Sequence, residues 1–454
     1  MTSPLPTHRI LAPDLARGAA LLGIAVANGI TAWSVTGLPA AANELETYAG
    51  IIVNDSLWDK IMVVIGTLFV HVRGLPMFAT LLGYGIGMIL VREQHRGATP
   101  RNARIILGRR YGALAIIGAL HTVFLFYGDI MLTYSLIALV VVLICTFPDR
   151  ILISLVGVSA VIGAALIAPW GYSPFDAVAP TMPVGQGGGS GYLIDQLYVG
   201  FGILLRTPVQ FFIDLMTLGP LILLGFIAGR RGVLEHPDRY VIPMRIVASI
   251  TVLVIVGVGI PWGLSALGVL PAEPFWHGIN RVAGLWSGPG FVVWIFWGAR
   301  WLQQHHLSNR LPIRMLAALG RMSMTGYVLQ SVLFTIIMVP WGFAIGAGRG
   351  AATVTLIATG IWGITVIFAY LWSRTGRRGP LEILHRTLGY GRLPNAKHRS
   401  CDMSCDVTKR HHRLEFYHCF LVMKSGFCHE IIIIRSYSYP GSCSWRGPSR
   451  DCYR

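Results

Sequence analysis

Two side chains capable of proton transfer, His121 and Asp129, stand within one apolar run, LHTVFLFYGDIMLTYS (residues 120–135). An imidazole can take a proton from a hydroxyl or amine near neutral pH, or carry a group itself, and a carboxylate can orient it. A charged group at the centre of a bilayer costs roughly 2.5–3.5 kcal/mol on insertion scales, so an ionisable residue in such a run is a functional candidate by default. On one continuous helix the two lie about 80° apart around the axis and about 12 Å apart along it. They would touch only if the helix broke or a neighbour intervened. Gly128 can end a helix and Asp129 then stands where an N-cap belongs, so the spacing favours a capping role for Asp129 and leaves His121 as the candidate base.

Other polar groups recur at matching distances. Arg17 precedes Asn28 by eleven residues, and Arg110 precedes His121 by eleven. Eleven residues make about three helical turns, roughly 16 Å, so each helix sets an arginine at one end and a neutral polar group on the same face. Arg104 and Arg109 flank Arg110 in sequence. Tyr327 and Gln330 follow Arg321 in a later apolar run, with Arg321 and Gln330 on opposite faces, and His71 and Arg73 stand at the outer end of the second run. Taken singly, an arginine at a helix end is most simply a headgroup anchor. Asn28 and Gln330 are equally readable as hydrogen bonds between helices, a lone histidine as packing, and Asp14 as a partner of Arg17 or of its own helix N-terminus.

The elements that must position these groups follow from composition. The chain has 454 residues, of which 54% are hydrophobic and only 13% charged, and its mean hydropathy is +0.60. Soluble domains carry about a quarter charged residues. The fold class expected is therefore all-α, a polytopic transmembrane bundle whose first partner is the lipid bilayer. About ten segments approach the ~20 apolar residues that a spanning helix needs: 15–33, 71–91, 105–127, 130–147, 151–170, 209–229, 244–263, 291–302 extended backwards, 322–339 and 351–372. The eighth is weakened by Gly288, Pro289 and Gly290. The net charge of +17 is not a nucleic-acid signal, because its arginines cluster in alternate loops such as VREQHRGATPRNARIILGRR and GRRGVLEHPDRYVIPMR. The intervening loops, including NELETYAGIIVNDSLWDK and residues 171–208, are acidic or nearly neutral. This bias predicts a multi-pass protein of the cell (inner) membrane with both ends cytoplasmic. No cleavable signal peptide is read at the N-terminus. The sequence leaves the oligomeric state open.

Two glycine-rich stretches invite over-reading. GQGGGSGYLIDQLY lacks the GK[ST] ending and a preceding strand, and reads as an external linker. GYGIGMI places Gly83 and Gly87 four apart, which helix packing through small residues explains without a nucleotide.

Several stretches together resemble a known family, the bacterial YeiB family of membrane proteins. They are APDLARGAALLGIAVAN, FATLLGYGIGM, RRYGALAIIGALHTVFLFYGDIMLTYSLIAL, LGRMSMTGYVLQS and RRGPLEILHRTLGYG, in order over about residues 9–391. Gly326 stands where the family usually has Asn before the Tyr, and Ala12-Pro13 precede Asp14 where an apolar residue is usual. The family is distantly similar to membrane acyltransferases that modify sugars. That similarity implies transfer of an acyl group from a cytoplasmic acyl-CoA donor to a sugar or lipid-linked acceptor in the envelope. It further implies that Arg17, Arg104, Arg109 and Arg110 hold the donor's phosphates, that His121 is the base or acyl carrier, and that Asp129 or His71 orients it. Asn28, His71, Arg73, Tyr327 and Gln330 would line the pocket, and no metal is expected. The alternatives are a transporter or channel for a small solute, which should show broken helices, inverted repeats and a charged midplane site, and a non-catalytic envelope protein.

The organisation expected is a membrane domain over residues 1–391 and an atypical tail over 392–454. Six of the seven cysteines lie between Cys401 and Cys452, with no second pair at finger-like spacing and in a compartment that does not favour disulfides. The tail reads as translation out of frame or past a lost stop; a tail of the same type in the same frame of related genes would sink that idea.

Overall fold

A computed structural model describes residues 10–33, 44–167, 192–339, 342–345, 348–390, 418–422 and 431–435. Residues 1–391 form one compact unit and 392–454 another. In the second unit two strands, β3 (His418–Val422) and β4 (Ile431–Arg435), pair antiparallel. The remaining tail residues and the Gly-rich stretch expected as a linker at 185–191 lie outside the described residues.

The first unit is an all-α bundle. Its helices are α1 (Ala12–Asn28), α2 (Leu57–Phe69), α3 (Gly74–His95), α4 (Pro100–Phe124), α5 (Met131–Ile144), α6 (Asp149–Ile167), α7 (Tyr192–Thr217), α8 (Gly219–Arg230), α9 (Val241–Val254), α10 (Ile260–Ala266), α11 (Glu273–Ala283), α12 (Ser287–Gln304), α13 (Leu311–Arg321), α14 (Ser323–Met338), α15 (Ala351–Ser373) and α16 (Pro380–Tyr390). Seven helical stretches among the described residues are long and apolar enough to cross a bilayer, and three shorter apolar helices accompany them. Their outward faces carry Val161, Leu205, Leu253 and Leu356, each at least 69% exposed. Apolar side chains standing out from helices that also have a packed inner face are what a lipid solvent requires.

Four expected boundaries shift, each for a local reason. The acidic loop before the second span folds into a hairpin, β1 (Glu44–Thr47) against β2 (Gly50–Val53), and then α2, whose N-cap Ser56 accepts from the Asp59 N–H. The buried Asp59 carboxylate in turn accepts from the N–H groups of Ala352, at 2.8 Å, and Val53, at 3.2 Å. It thereby ties the hairpin to the start of α15, where a carboxylate also meets the positive helix end. The sixth span is two helices, because Gly219 and Pro220 start α8 afresh after α7. The weak eighth span is a regular helix: Pro289 falls in its first turn, where a missing N–H costs nothing. The basic loop before Met322 holds a further amphipathic helix, α13.

The packing reading of GYGIGMI holds. A Cβ on Gly83 or Gly87 would collide with the backbone of Ile222 and Phe226, and one on Gly225 or Gly229 with that of Thr80 and Tyr84. Two small-xxx-small faces, one on α3 and one on α8, therefore let the backbones touch. Gly225→Leu is expected to force the helices apart, at a cost of about 1–3 kcal/mol or more. A lower melting midpoint in detergent checks this; a midpoint equal to wild type would count against the crossing.

Candidate functional site

Helix α4 ends just past His121. The His121 carbonyl accepts from both the Leu125 and the Phe126 N–H, at 2.9 Å each. The chain then turns through Gly128, where a Cβ would press on the Phe126 ring. This turn folds Asp129 back over the last turn of α4, so its Oδ1 lies 2.7 Å from His121 Nδ1. The other oxygen, Oδ2, accepts from the Leu132 N–H at 2.7 Å. Asp129 therefore caps α5, as its spacing suggests, and also pairs with His121. The expected separation assumed a continuous helix, and the break removes it.

On the other side of the imidazole, Nε2 lies 2.9 Å from Ser331 Oγ. With Nδ1–H donating to the carboxylate, Nε2 is left to accept from the serine hydroxyl. The hydroxyl's alternative acceptor, the Tyr327 carbonyl, is longer at 3.4 Å. All three side chains are buried. Ser331 stands two turns along α14, about 12 Å from its start. Tyr327, one turn earlier on the same face, stacks obliquely on His121 with ring centroids 5.2 Å apart. Its buried hydroxyl makes no hydrogen bond among the described residues. Phe126, Trp33 and Phe334 form an aromatic stack beside the imidazole. A carboxylate, an imidazole and a hydroxyl in this order form the relay that activates a serine oxygen in acyl-transfer enzymes of unrelated folds.

Ser331, the last residue of LGRMSMTGYVLQS, does not stand out among the candidates in the sequence. Its i, i+4 spacing from Tyr327 was the available signal. Glu382 and His385 were also passed over, and they fix the helices that carry the site. The Glu382 carboxylate accepts from the N–H groups of Met324 (2.9 Å) and Thr325 (3.2 Å) and from the Thr325 hydroxyl, capping α14 from α16. His385 Nε2–H donates to the Arg110 carbonyl of α4 at 2.7 Å. Helix α16 is thus a strap across α4 and α14.

Burial, and secondarily the nearby Arg110 charge, pushes the His385 pKa down to about 4 from 6.5. Folding therefore favours the neutral ring. Its contribution is full above pH 6.5 and is lost as the pH falls through about 4. Amide protection factors in α16, corrected for the intrinsic pH dependence of exchange, should fall over that window, and His385→Asn should flatten the dependence. Equal protection factors at pH 7 and 4.5 would refute this role.

The remaining candidates are scattered over the bundle. Arg17 donates to the Leu81 carbonyl at 3.4 Å, and Asn28 is half-buried in α1. Arg104 bonds the Thr146 hydroxyl, Arg109 is exposed, and Arg110 faces α16 through its carbonyl. Gln330 donates to Thr365 Oγ1 at 3.5 Å. His71 and Arg73 belong to a second buried cluster at the break between α2 and α3. His71 Nε2 meets the Ala49 carbonyl at 3.3 Å. Arg73 donates to the carbonyls of Leu68, Thr67 and Val72 and, at 2.8 Å, to Asn280 Oδ1. Neither approaches the His121 relay through any described contact. Among the described residues no three His, Cys, Asp or Glu side chains form a group that could hold a metal ion.

Fold and site together define a class: a membrane protein of many apolar helices with a buried Ser–His–Asp relay between two of them. Residues 228–392 match the family described as "Protein of unknown function (DUF418)". The chain is 26% identical over 400 residues to the uncharacterized protein YeiB of Escherichia coli (strain K12), covering 83% of this chain and 94% of that protein. It is 23% identical over 343 residues to the uncharacterized protein YxaH of Bacillus subtilis (strain 168), covering 71% and 80%. The chain is thus similar to the YeiB-like DUF418 proteins over most of its length. No solved structure matches it. The family match stops at residue 392, where the composition changes.

Proposed function

We propose that this protein is a membrane acyltransferase that passes an acyl group from a thioester donor, acyl-CoA, to a hydroxyl or amine on a sugar or lipid-linked acceptor in the envelope. The observation that carries the reading is the relay: His121 within 2.7 Å of Asp129 and 2.9 Å of Ser331, at depth between apolar helices. In the first half-reaction Ser331 Oγ attacks the thioester carbonyl while His121 Nε2 takes its proton. The carbon–sulfur bond breaks, and the same proton passes to the leaving thiolate. In the second, His121 takes a proton from the acceptor, whose oxygen or nitrogen attacks the seryl ester, and returns it to Ser331 Oγ. Asp129 holds the tautomer and offsets the imidazolium charge in both. The reading places the protein in the cell (inner) membrane with both termini cytoplasmic, so that the donor arrives at the arginine-rich end.

Transport is the weaker reading. The bundle does contain broken helices, between α2 and α3 and between α11 and α12. The freed carbonyls of α2 are taken by Arg73, however, where a transporter would leave them for its ion. The deciding experiment incubates the purified protein with acetyl-labelled CoA, with and without glycosyl acceptors, and maps label by peptide mass spectrometry. Ester-linked label on Ser331 is expected; no label on protein or acceptor would sink the acyltransferase reading.

A further inference from the structure

At the arginine-rich end, away from the relay, a cavity of about 540 Å³ opens between the start of α1, the end of α12, α13 and the end of α15. That volume suits a small ligand or a headgroup. Its polar lining includes Arg314, Arg321, Gln303, Asn309, Ser308 and Tyr370, and no carboxylate is among the lining residues. Arg314 and Arg321 are seven residues apart on α13, so they stand on one face two turns apart, about 10 Å along the axis. Ala317, between them, lines the cavity too, which shows that this face, and not the lipid side, meets the space. The Arg314 guanidinium is held over the Tyr370 ring, 5.9 Å from its centroid. Among the described residues no carboxylate pairs with either arginine. Both arginines are exposed at the mouth of the cavity, so two positive charges stand there with amide and hydroxyl groups beside them.

We infer that this cavity binds a phosphate-bearing anion, with Arg314 and Arg321 gripping its oxygens. Guanidinium forks match phosphate geometry bidentately, and two of them about 10 Å apart along the helix can converge on one diphosphate or a phosphodiester headgroup. Basic pockets between membrane helices hold lipid headgroups by the same chemistry. The inference does not depend on the acyl-transfer reading, since the cavity and the relay share no residue.

The test uses the full chain in nanodiscs of neutral phosphatidylcholine, titrated with inorganic pyrophosphate, and in parallel native mass spectrometry after exposure to phosphatidylglycerol. Saturable pyrophosphate binding, weakened at least tenfold in Arg314→Gln/Arg321→Gln and unchanged in Arg310→Gln, which does not line the cavity, supports a soluble phosphate ester as the occupant. Retention of phosphatidylglycerol, lost in the same double variant, supports a lipid source. A second measurement needs no variant: either probe should protect Arg314 and Arg321 of the wild-type protein from phenylglyoxal, read peptide by peptide. Neither binding nor protection with either probe overturns the site.

Discussion

His121→Ala is expected to reduce acyl transfer by about 10³–10⁴-fold while the protein still inserts and purifies, because the base and the proton shuttle leave together. Ser331→Ala should cost a similar factor and also remove the covalent label. The two losses should not add, since residues acting as one relay fail as a unit. Asp129→Asn is the most informative of the three. An amide at that position can still cap Leu132 through its oxygen, so the turn is kept, but the neutral side chain no longer fixes the Nδ1–H tautomer. Transfer should then drop by as much as about 10⁴-fold with little change in melting midpoint. A purely structural role predicts the reverse ordering, with a fallen midpoint and no activity to lose. Asp129→Ala separates the contributions further, since it removes cap and partner together and should lower the midpoint by leaving the buried Leu132 N–H unpaired. Transfer by Asp129→Asn at the wild-type rate would refute the relay.

The all-α membrane class was legible because it rests on composition and loop charge, which tertiary context cannot reverse. Helix interruptions were less so. Residues 57–60 read as the end of an acidic loop and 61–69 as no span, since Asp55, Asp59 and Lys60 mask a short apolar helix. Residues 192–217 were cut short by Arg206 and Pro208, which the helix tolerates. The site was half legible. His121 was found by its chemistry in an apolar run, and Asp129 by its place after Gly128. Their contact depends on where α4 stops, and the turn that follows carries Phe126 against Trp33, a pairing 93 residues apart that no local pattern contains. Ser331 comes from a helix still more distant. The inner arginines were expected to converge on shared spacing. Spacing fixes a face of one helix but not which neighbour that face meets: Arg110 meets α16 while His121 meets α14.

The largest stability effect is expected at Arg73, which is 2% exposed and sits at the break between α2 and α3 with no carboxylate among its hydrogen-bond partners. Val72 beside it has φ +57°, a conformation that a β-branched residue rarely adopts. The break leaves the last carbonyls of α2 without helical partners, in surroundings where water cannot serve them. Arg73 supplies the donors instead, and its positive charge sits at the negative end of α2. Asn280 closes the cluster by accepting from Arg73 and donating to the His71 carbonyl. Arg73→Leu would strand several buried acceptors at once, a loss of roughly 3–5 kcal/mol. In a chain of this size that should lower the melting midpoint by about 4–6 °C. Arg73→Lys should recover only part of it, since an ammonium has no planar fork to span Leu68, Thr67 and Asn280 together. Asn280→Leu should cost less, about 1–3 kcal/mol, and the double variant less than the sum, because each removes the other's partner. A midpoint for Arg73→Leu within a degree or two of wild type would mean that the α2 carbonyls find other donors, and that the break is not held by this side chain.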